Sequence, residues 1–374
     1  MMRHPRAWMG ILLWPIFMPA HADWTVNMAP GATAVSHAVF DLHMTIFWVC
    51  AVIGVLVFGA MFWSMLVHRR SIGQKAAHFH ESTTVEVLWT VVPFIILVVM
   101  AIPATKTLIE IYDPSESEVD IQITGYQWKW HYKYLGQDVE FFSNLATPHD
   151  QINNRAPKGE HYLLEVDEPL VVPVGAKVRF LITAADVIHS WWVPALAVKK
   201  DAIPGFVNEA WTRIEEPGIF RGQCTELCGK DHGFMPVVVE AKSKEDFAAW
   251  LAERKEAAAA ERELTSKEWT MEELMARGEK AYNATCVACH QAGGEGLPPM
   301  FPALKGSPIA TGPAEPHIAI VVNGKPGTSM AAFGKQLSEV DIAAIITYER
   351  NAWGNKVGDM VTPKDVLAFK QAQE

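Results

Sequence analysis

Two stretches without a charged side chain constrain this chain more than any other feature. Met44 to Val67 runs for 24 residues, and Val87 to Thr105 forms a second such stretch. A helix over the first reaches about 36 Å, enough to cross the hydrocarbon core of a bilayer with some tilt. Pro93 and Pro103 fall inside the second. Membrane helices tolerate proline because neighbouring groups satisfy the freed carbonyls. The loop between the stretches carries His68, Arg69, Arg70 and Lys75, whereas Glu110, Asp113, Glu116 and Glu118 follow the second. Positive charge stays on the cytoplasmic side. The pattern therefore predicts a two-helix transmembrane hairpin, helices about 44–67 and 87–105, with everything after residue 106 in the periplasm or its equivalent.

Composition agrees. Half of the 374 residues are hydrophobic and only 20% are charged, apolar for a soluble chain. Fourteen Trp suit a protein with interfacial belts. Lys plus Arg number 32 against 42 Asp plus Glu, a net charge of −10 that argues against nucleic-acid binding. At the N-terminus, Arg3 and Arg6 precede an apolar run from Ala7 to Met18, and Ala20-His21-Ala22 supplies a small-x-small cleavage site. Residues 1–22 read as a secretory signal peptide, too short and too Pro-interrupted (Pro15, Pro19) for a spanning helix. The N-terminal segment with the hairpin then occupies 23–107.

From Val119 the hydrophobic period changes to two. Val119, Ile121 and Ile123 alternate with polar neighbours, as do Val178, Phe180 and Ile182. Short strands between Pro, Gly and Asp turns predict an all-β sandwich or Greek-key barrel over 108–243. A charged, Ala-rich run over 244–265 reads as a semi-rigid helical linker. An all-α domain with a C-terminal tail is expected over 266–374, and no internal repeat is present.

Five cysteines in an exported chain raise the question of disulfides, but four of them fall in ligand or attachment spacings. Cys50 lies in the first apolar run, as a small buried or lipid-facing residue. Cys224 and Cys228 stand four apart, with His232 and Met235 just downstream and His189 upstream. Thiolates with imidazoles select copper or zinc. A single-copper electron-transfer site needs one Cys; a second one allows two sulfurs to bridge two metals. Met speaks against structural zinc, and the flanking His and Met speak against a Cys224–Cys228 disulfide. Further on, Cys286-Val-Ala-Cys289-His290 is the C-x-x-C-H signature of covalent haem c. Three methionines follow it. Met300 lies close behind His290 and Met360 beyond the last helix of the haem segment. Met330 sits in a Gly-rich loop with few apolar neighbours, which makes it the expected axial partner of His290.

The runs GYQWKWHY (125–132), HSWWVPALAVKKDAIPGF (189–206) and CTELCGKDHGFM (224–235) resemble subunit II of haem–copper cytochrome c oxidases. The resemblance spans roughly 36–241. It implies a cupredoxin fold carrying the binuclear copper centre CuA: Cys224 and Cys228 bridge both coppers, His189 and His232 each bind one, and Met235 with the carbonyl of Glu226 are weak outer ligands. It also implies that the Glu226 carboxylate faces a Mg or Mn ion shared with subunit I. Trp128 matches the tryptophan through which electrons arrive from cytochrome c; spacing alone does not separate it from Trp130, since both would face one side of a strand. Glu86 resembles an acid at the mouth of a proton path shared with subunit I; the plain alternative is an interfacial acid.

Residues 268–353 resemble class I cytochrome c, which some oxidases carry fused to subunit II. The resemblance implies electron flow from a cytochrome c or another periplasmic or membrane donor, through haem c and CuA, to subunit I. Oxygen reduction and proton pumping would take place there, with subunit III a further partner. The CuA subunit of a nitric oxide reductase is the alternative. A free copper carrier would need neither membrane helices nor haem, and quinol oxidase relatives lack the copper ligands.

Overall fold

The computed structural model describes residues 27–373 apart from Pro30, Gln74, Ala76, Ala77, Phe79 and Lys335. The expected signal peptide lies outside the described residues. Two long helices come first, α1 (Ala34–Val67) and α2 (Thr83–Ile111). Both overrun the uncharged stretches that predict them. A carboxylate or imidazole at the bilayer surface does not stop a helix; a cap does. At α1 the stop is Thr33, whose Oγ1 accepts from Ser36 N at 3.0 Å while Ser36 Oγ accepts from Thr33 N at 2.9 Å. Apolar side chains point outward along both helices, Val55 at 73% and Trp89 at 64% exposure. Such a surface fits lipid. Cys50 is exposed on α1, the lipid-facing alternative of the two expected.

The ten strands that follow are β1 (Val119–Tyr126), β2 (Lys129–Tyr134), β3 (Val139–Ser143), β4 (Leu170–Pro173), β5 (Val178–Ala184), β6 (His189–Val193), β7 (Val198–Ala202), β8 (Asn208–Thr212), β9 (Gly218–Cys224) and β10 (Pro236–Lys242), with a one-turn helix α3 (His149–Ile152) before β4. They form two five-stranded sheets, ordered β3-β2-β1-β5-β8 and β4-β10-β9-β6-β7. β1 runs parallel to β5 with Ile121 opposite Phe180, and β10 runs parallel to β4; the other pairs are antiparallel. Ile121, Ile123, Phe180 and Ile182 are fully buried, so the period-two alternation marks the inner face as expected. Trp130, Trp191 and Tyr132 fill the space between the sheets. Sheet and hairpin are joined at the base of α1, where Ala32 N donates to Ala195 O at 2.7 Å, and through Trp211, whose Nε1 donates to Glu110 O at 3.1 Å.

The presumed linker is a helix, α4 (Lys244–Ser266), but it is not a spacer. Phe247 is buried, and the Trp250 ring lies 5.3 Å from Tyr134 and 6.2 Å from Phe141. Arg254 pairs with Glu168 and covers the Phe141 ring at 5.0 Å. The expectation of a semi-rigid linker is therefore corrected. The Ala-rich composition hid two aromatic side chains on one face, and they dock the helix on the β domain.

The C-terminal domain contains α5 (Met271–Thr285), α6 (Val287–His290), α7 (Pro308–Thr311), α8 (Ala314–Asn323), α9 (Glu339–Asn351) and α10 (Pro363–Gln371). α5 and α9 cross at Gly278, where an added Cβ would come within 2.1 Å of Ala344 O. Only glycine permits that approach. Ile318, Val321, Val322, Ile342, Ile346 and Val366 form the core of the domain.

Candidate metal and haem sites

The copper-type residues converge at one end of the sandwich. His189 opens β6, Cys224 ends β9, Cys228 sits in the loop that follows, His232 begins a single 3-10 turn (His232–Phe234) and Met235 directly precedes β10. Cys224 Sγ and Cys228 Sγ are 3.8 Å apart, too far for a covalent bond. Cys224 Sγ lies 4.0 Å from His189 Nδ1 and 3.4 Å from Glu226 O. Cys228 Sγ lies 3.4 Å from His232 Nδ1 and 3.5 Å from Met235 Sδ. A ring nitrogen of His189 and the two sulfurs all fall within 4.8 Å of one another.

The loop is fixed by backbone. Thr225 N donates to Ser190 O at 3.1 Å and Cys224 N to Met235 O at 3.3 Å. From the β1–β2 turn, Gln127 Nε2 and Trp128 Nε1 both donate to Cys228 O, at 2.8 and 3.2 Å. Trp128 therefore lies in a hairpin turn, not in one strand with Trp130 as the period-two reading assumed. The turn separates them: Trp130 is fully buried and Trp128 half-buried.

Sequence reasoning missed the groups that orient these side chains. Asp186 Oδ1 lies 2.9 Å from His189 Nε2, which leaves Nδ1 facing the sulfurs. An acid three residues before a candidate ligand was the available signal. Asp186 also accepts from Gln127 N at 2.7 Å. Gly125 on β1 is the second missed residue, since a Cβ there would stand 2.8 Å from the His189 ring.

The electrostatics separate the two thiols. Burial opposes the Cys224 thiolate, yet the His189 hydrogen bond holds its pKa below the usual thiol value. Burial and the charge of Cys224 push Cys228 up to about 12. Two adjacent thiolates thus need positive charge beside them, which a soft metal site supplies. His189 is shifted upward: burial opposes its charged form, and Asp186 and Cys224 outweigh it. The donor set of two sulfurs, two imidazoles, a thioether and a carbonyl fits copper better than zinc.

In the C-terminal domain Cys286 caps α5, and Cys289 and His290 lie on α6. His290 Nδ1 lies 3.0 Å from Pro302 O, so its Nε2 is left for an iron ligand bond. Burial, then the charge of Glu349, raises the Cys286 thiol. Both cysteines are free, which thioether attachment requires. Met330 lies on the loop between α8 and α9. It packs against the Ile318–Val322 cluster, so the expectation of few apolar neighbours is overturned. Met300, by contrast, is 76% exposed and Met360 39%. Glu226 is exposed on the copper loop. Glu86 is exposed in the first turn of α2, and its carboxylate accepts from Ser82 N at 3.4 Å. That is the geometry of a helix-terminal acid.

A hairpin, a cupredoxin-like sandwich with a sulfur-rich donor cluster, and a helical domain bearing C-x-x-C-H define a membrane-anchored redox protein with a fused cytochrome. Known proteins agree with this class. Residues 21–107 match the family described as cytochrome c oxidase subunit II, transmembrane domain, and 119–242 match its periplasmic domain. Residues 273–348 match cytochrome c oxidase, cbb3-type, subunit III. A probable cytochrome c oxidase subunit 2 of Rickettsia bellii is 38% identical over 67% of this chain and 92% of its own. Cytochrome c oxidase subunit 2 of Metridium senile is 37% identical over 61% of this chain and 89% of its own. The periplasmic domain of subunit II from Bradyrhizobium japonicum is 40% identical over 39% of this chain and 99% of that one, with a TM-score of 0.35. The chain belongs to the cytochrome c oxidase subunit 2 family and carries a C-terminal cytochrome c domain. Membership implies CuA copper, and the cytochrome domain implies haem c. It also favours the oxidase over the nitric oxide reductase reading.

Proposed function

We propose that this chain takes up electrons for a respiratory terminal oxidase whose oxygen-reducing, proton-pumping site lies in subunit I. The observation that carries the reading is the convergence of His189, Cys224, Cys228, His232 and Met235 on one sandwich end, in a chain that also holds Cys286, Cys289 and His290. When bound, the haem and the copper would supply one-electron redox chemistry between the donor and subunit I.

The residues have distinct tasks. Cys224, Cys228, His189 and His232 would hold the copper, with Met235 and Glu226 O as weaker donors. Asp186 fixes the His189 ring, so that little has to move when charge changes. The closed sandwich keeps water from the sulfurs, with Cys224 3% and Cys228 2% exposed. Cys286 and Cys289 would anchor the haem, and His290 and Met330 would hold its iron. Trp128, half-buried and hydrogen-bonded to Cys228 O, links surface and centre. Glu86 serves proton uptake with subunit I, and the exposed Glu226 carboxylate reaches a Mg or Mn ion there.

The domain plan goes with this reading: export signal 1–22, hairpin segment 23–107 in the bacterial inner membrane, CuA domain 108–243, docked helix 244–265 and cytochrome domain 266–374. A cytochrome c or another periplasmic or membrane protein is the donor, and subunit III a further partner. The test is oxygen uptake by the assembled complex with reduced cytochrome c. Cys228→Ser is expected to abolish uptake and the mixed-valence copper signal while leaving the haem spectrum intact, because an oxygen donor does not bridge two coppers as a thiolate does. Unchanged uptake in that variant contradicts the reading.

A further inference from the structure

One residue outside the donor set touches both halves of the copper-type cluster. Gln127 stands in the β1–β2 turn, between Tyr126 and Trp128. Its Nε2 donates to Cys228 O at 2.8 Å, and its backbone N donates to Asp186 Oδ2 at 2.7 Å. The other oxygen of that acid, Oδ1, lies 2.9 Å from His189 Nε2 and accepts from Val187 N at 2.7 Å. His189 comes from β6, whereas Cys228 lies in the loop after β9. Gln127 therefore joins, from a third element, a thiol-bearing residue to the acid that orients an imidazole.

The copper loop is shaped to receive this side chain. Gly229 follows Cys228 at a φ of +118°, a conformation that side chains disfavour. A Cβ there would stand 3.0 Å from Gln127 Nε2 and 3.1 Å from Trp128 Cζ2. The glycine thus leaves Cys228 O open to two donors at once. Trp128 Nε1, at 3.2 Å, reaches that carbonyl only. Among the described residues, Gln127 alone bonds both Cys228 O and Asp186.

We propose that Gln127 is a positioning residue of the copper centre, holding the Cys228 sulfur in register with the His189 ring. The inference rests on the CuA reading. A carbonyl bonded by two well-placed donors does not swing freely. The sulfur carried by the same residue then keeps its 3.8 Å spacing from Cys224 Sγ. Groups that orient metal ligands support affinity as well as geometry. Gln127 makes and breaks no bond in this role; it keeps the donor set in one arrangement while the charge on the metals changes.

The test is chelator competition and electron spin resonance on the copper-loaded full-length chain, with folding followed by circular dichroism. Gln127→Met keeps a similar length and removes the donor; Gln127→Glu keeps the shape and turns an acceptor toward Cys228 O. Both are expected to weaken copper retention roughly 10- to 100-fold. Both are also expected to make the mixed-valence hyperfine pattern unequal between the two coppers. Lys129→Met is the control: Lys129 borders the same turn, its ammonium lies over the Phe142 ring at 4.8 Å, and it is expected to retain copper as wild type does. In the double variant Gln127→Met with Asp186→Ala, the combined loss is expected to fall well short of the product of the single losses, because both act through one linkage. Wild-type retention in either Gln127 variant, an equal loss in Lys129→Met, or losses that multiply would overturn the proposal. So would misfolding of both Gln127 variants, which would make the residue structural. A wild-type chain that takes up no copper pair would instead overturn the underlying CuA reading.

Discussion

At the residue scale, the copper cluster shows how much of a site lies outside its ligands. The Cys-x-x-x-Cys spacing with His232 and Met235 is visible in the chain because all four stand within twelve residues of Cys224 to Met235. Asp186 and Gly125 were not visible as parts of the site. Their roles exist only once β1 and β6 are brought together, and a lone Asp or Gly has no pattern of its own. Gly125→Ala places a methyl 2.8 Å from the His189 ring. It is expected to weaken copper binding roughly 10- to 100-fold, the cost of a disturbed ligand orientation, as read by chelator competition. Arg350 gives a second residue-scale case. Its guanidinium is 1% exposed and bonds Asp359, whose carboxyl it holds below the usual carboxylate range. The stabilisation is present above the ordinary Asp pKa and is lost as pH falls through the lowered value. Asp359→Asn is expected to cost about 2 kcal/mol, less than a fully buried pair because Asp359 is 49% exposed. Denaturant melts should show this at neutral pH, and the gap from wild type should close on acidification below about pH 4.

At the element scale, periodicity found the hairpin and the strands, because burial on one face imposes a repeat on the sequence. It failed where an element changes its partner. α4 reads as solvated by composition, yet Phe247 and Trp250 seat it against Tyr134 and Phe141. Phe247→Ala is expected to remove about 3 kcal/mol of that seating. Limited proteolysis should then cut within 244–266 faster in the variant than in wild type. Trp128 was misplaced for a related reason: β1 ends at Tyr126 and β2 begins at Lys129, so the two tryptophans never shared a strand. Turn positions break a period that residue counting assumes to continue. The loop between α8 and α9 yields a further prediction. Met330→Ala is expected to lower the haem potential and open the iron to carbon monoxide. Met300→Ala, at an exposed site, is expected to do neither; the reverse result reassigns the axial ligand.

At the scale of the whole molecule, the chain joins three solutions to three solvents. The hairpin presents apolar side chains outward, the sandwich seals a soft donor set from water, and the helical domain packs around an attachment motif. The β and helical domains face one another across a cleft of about 1480 Å³, lined by Tyr126, His131 and Phe142 on one side and Ala332 and Gly334 on the other. None of the donor residues lines the cleft. Cofactor stoichiometry is therefore a property of the two domains separately, and it tests the account most directly. Metal and haem analysis of the purified full-length chain, without other subunits, is expected to give two coppers per covalent haem. One copper per haem, or zinc in place of copper, would contradict it.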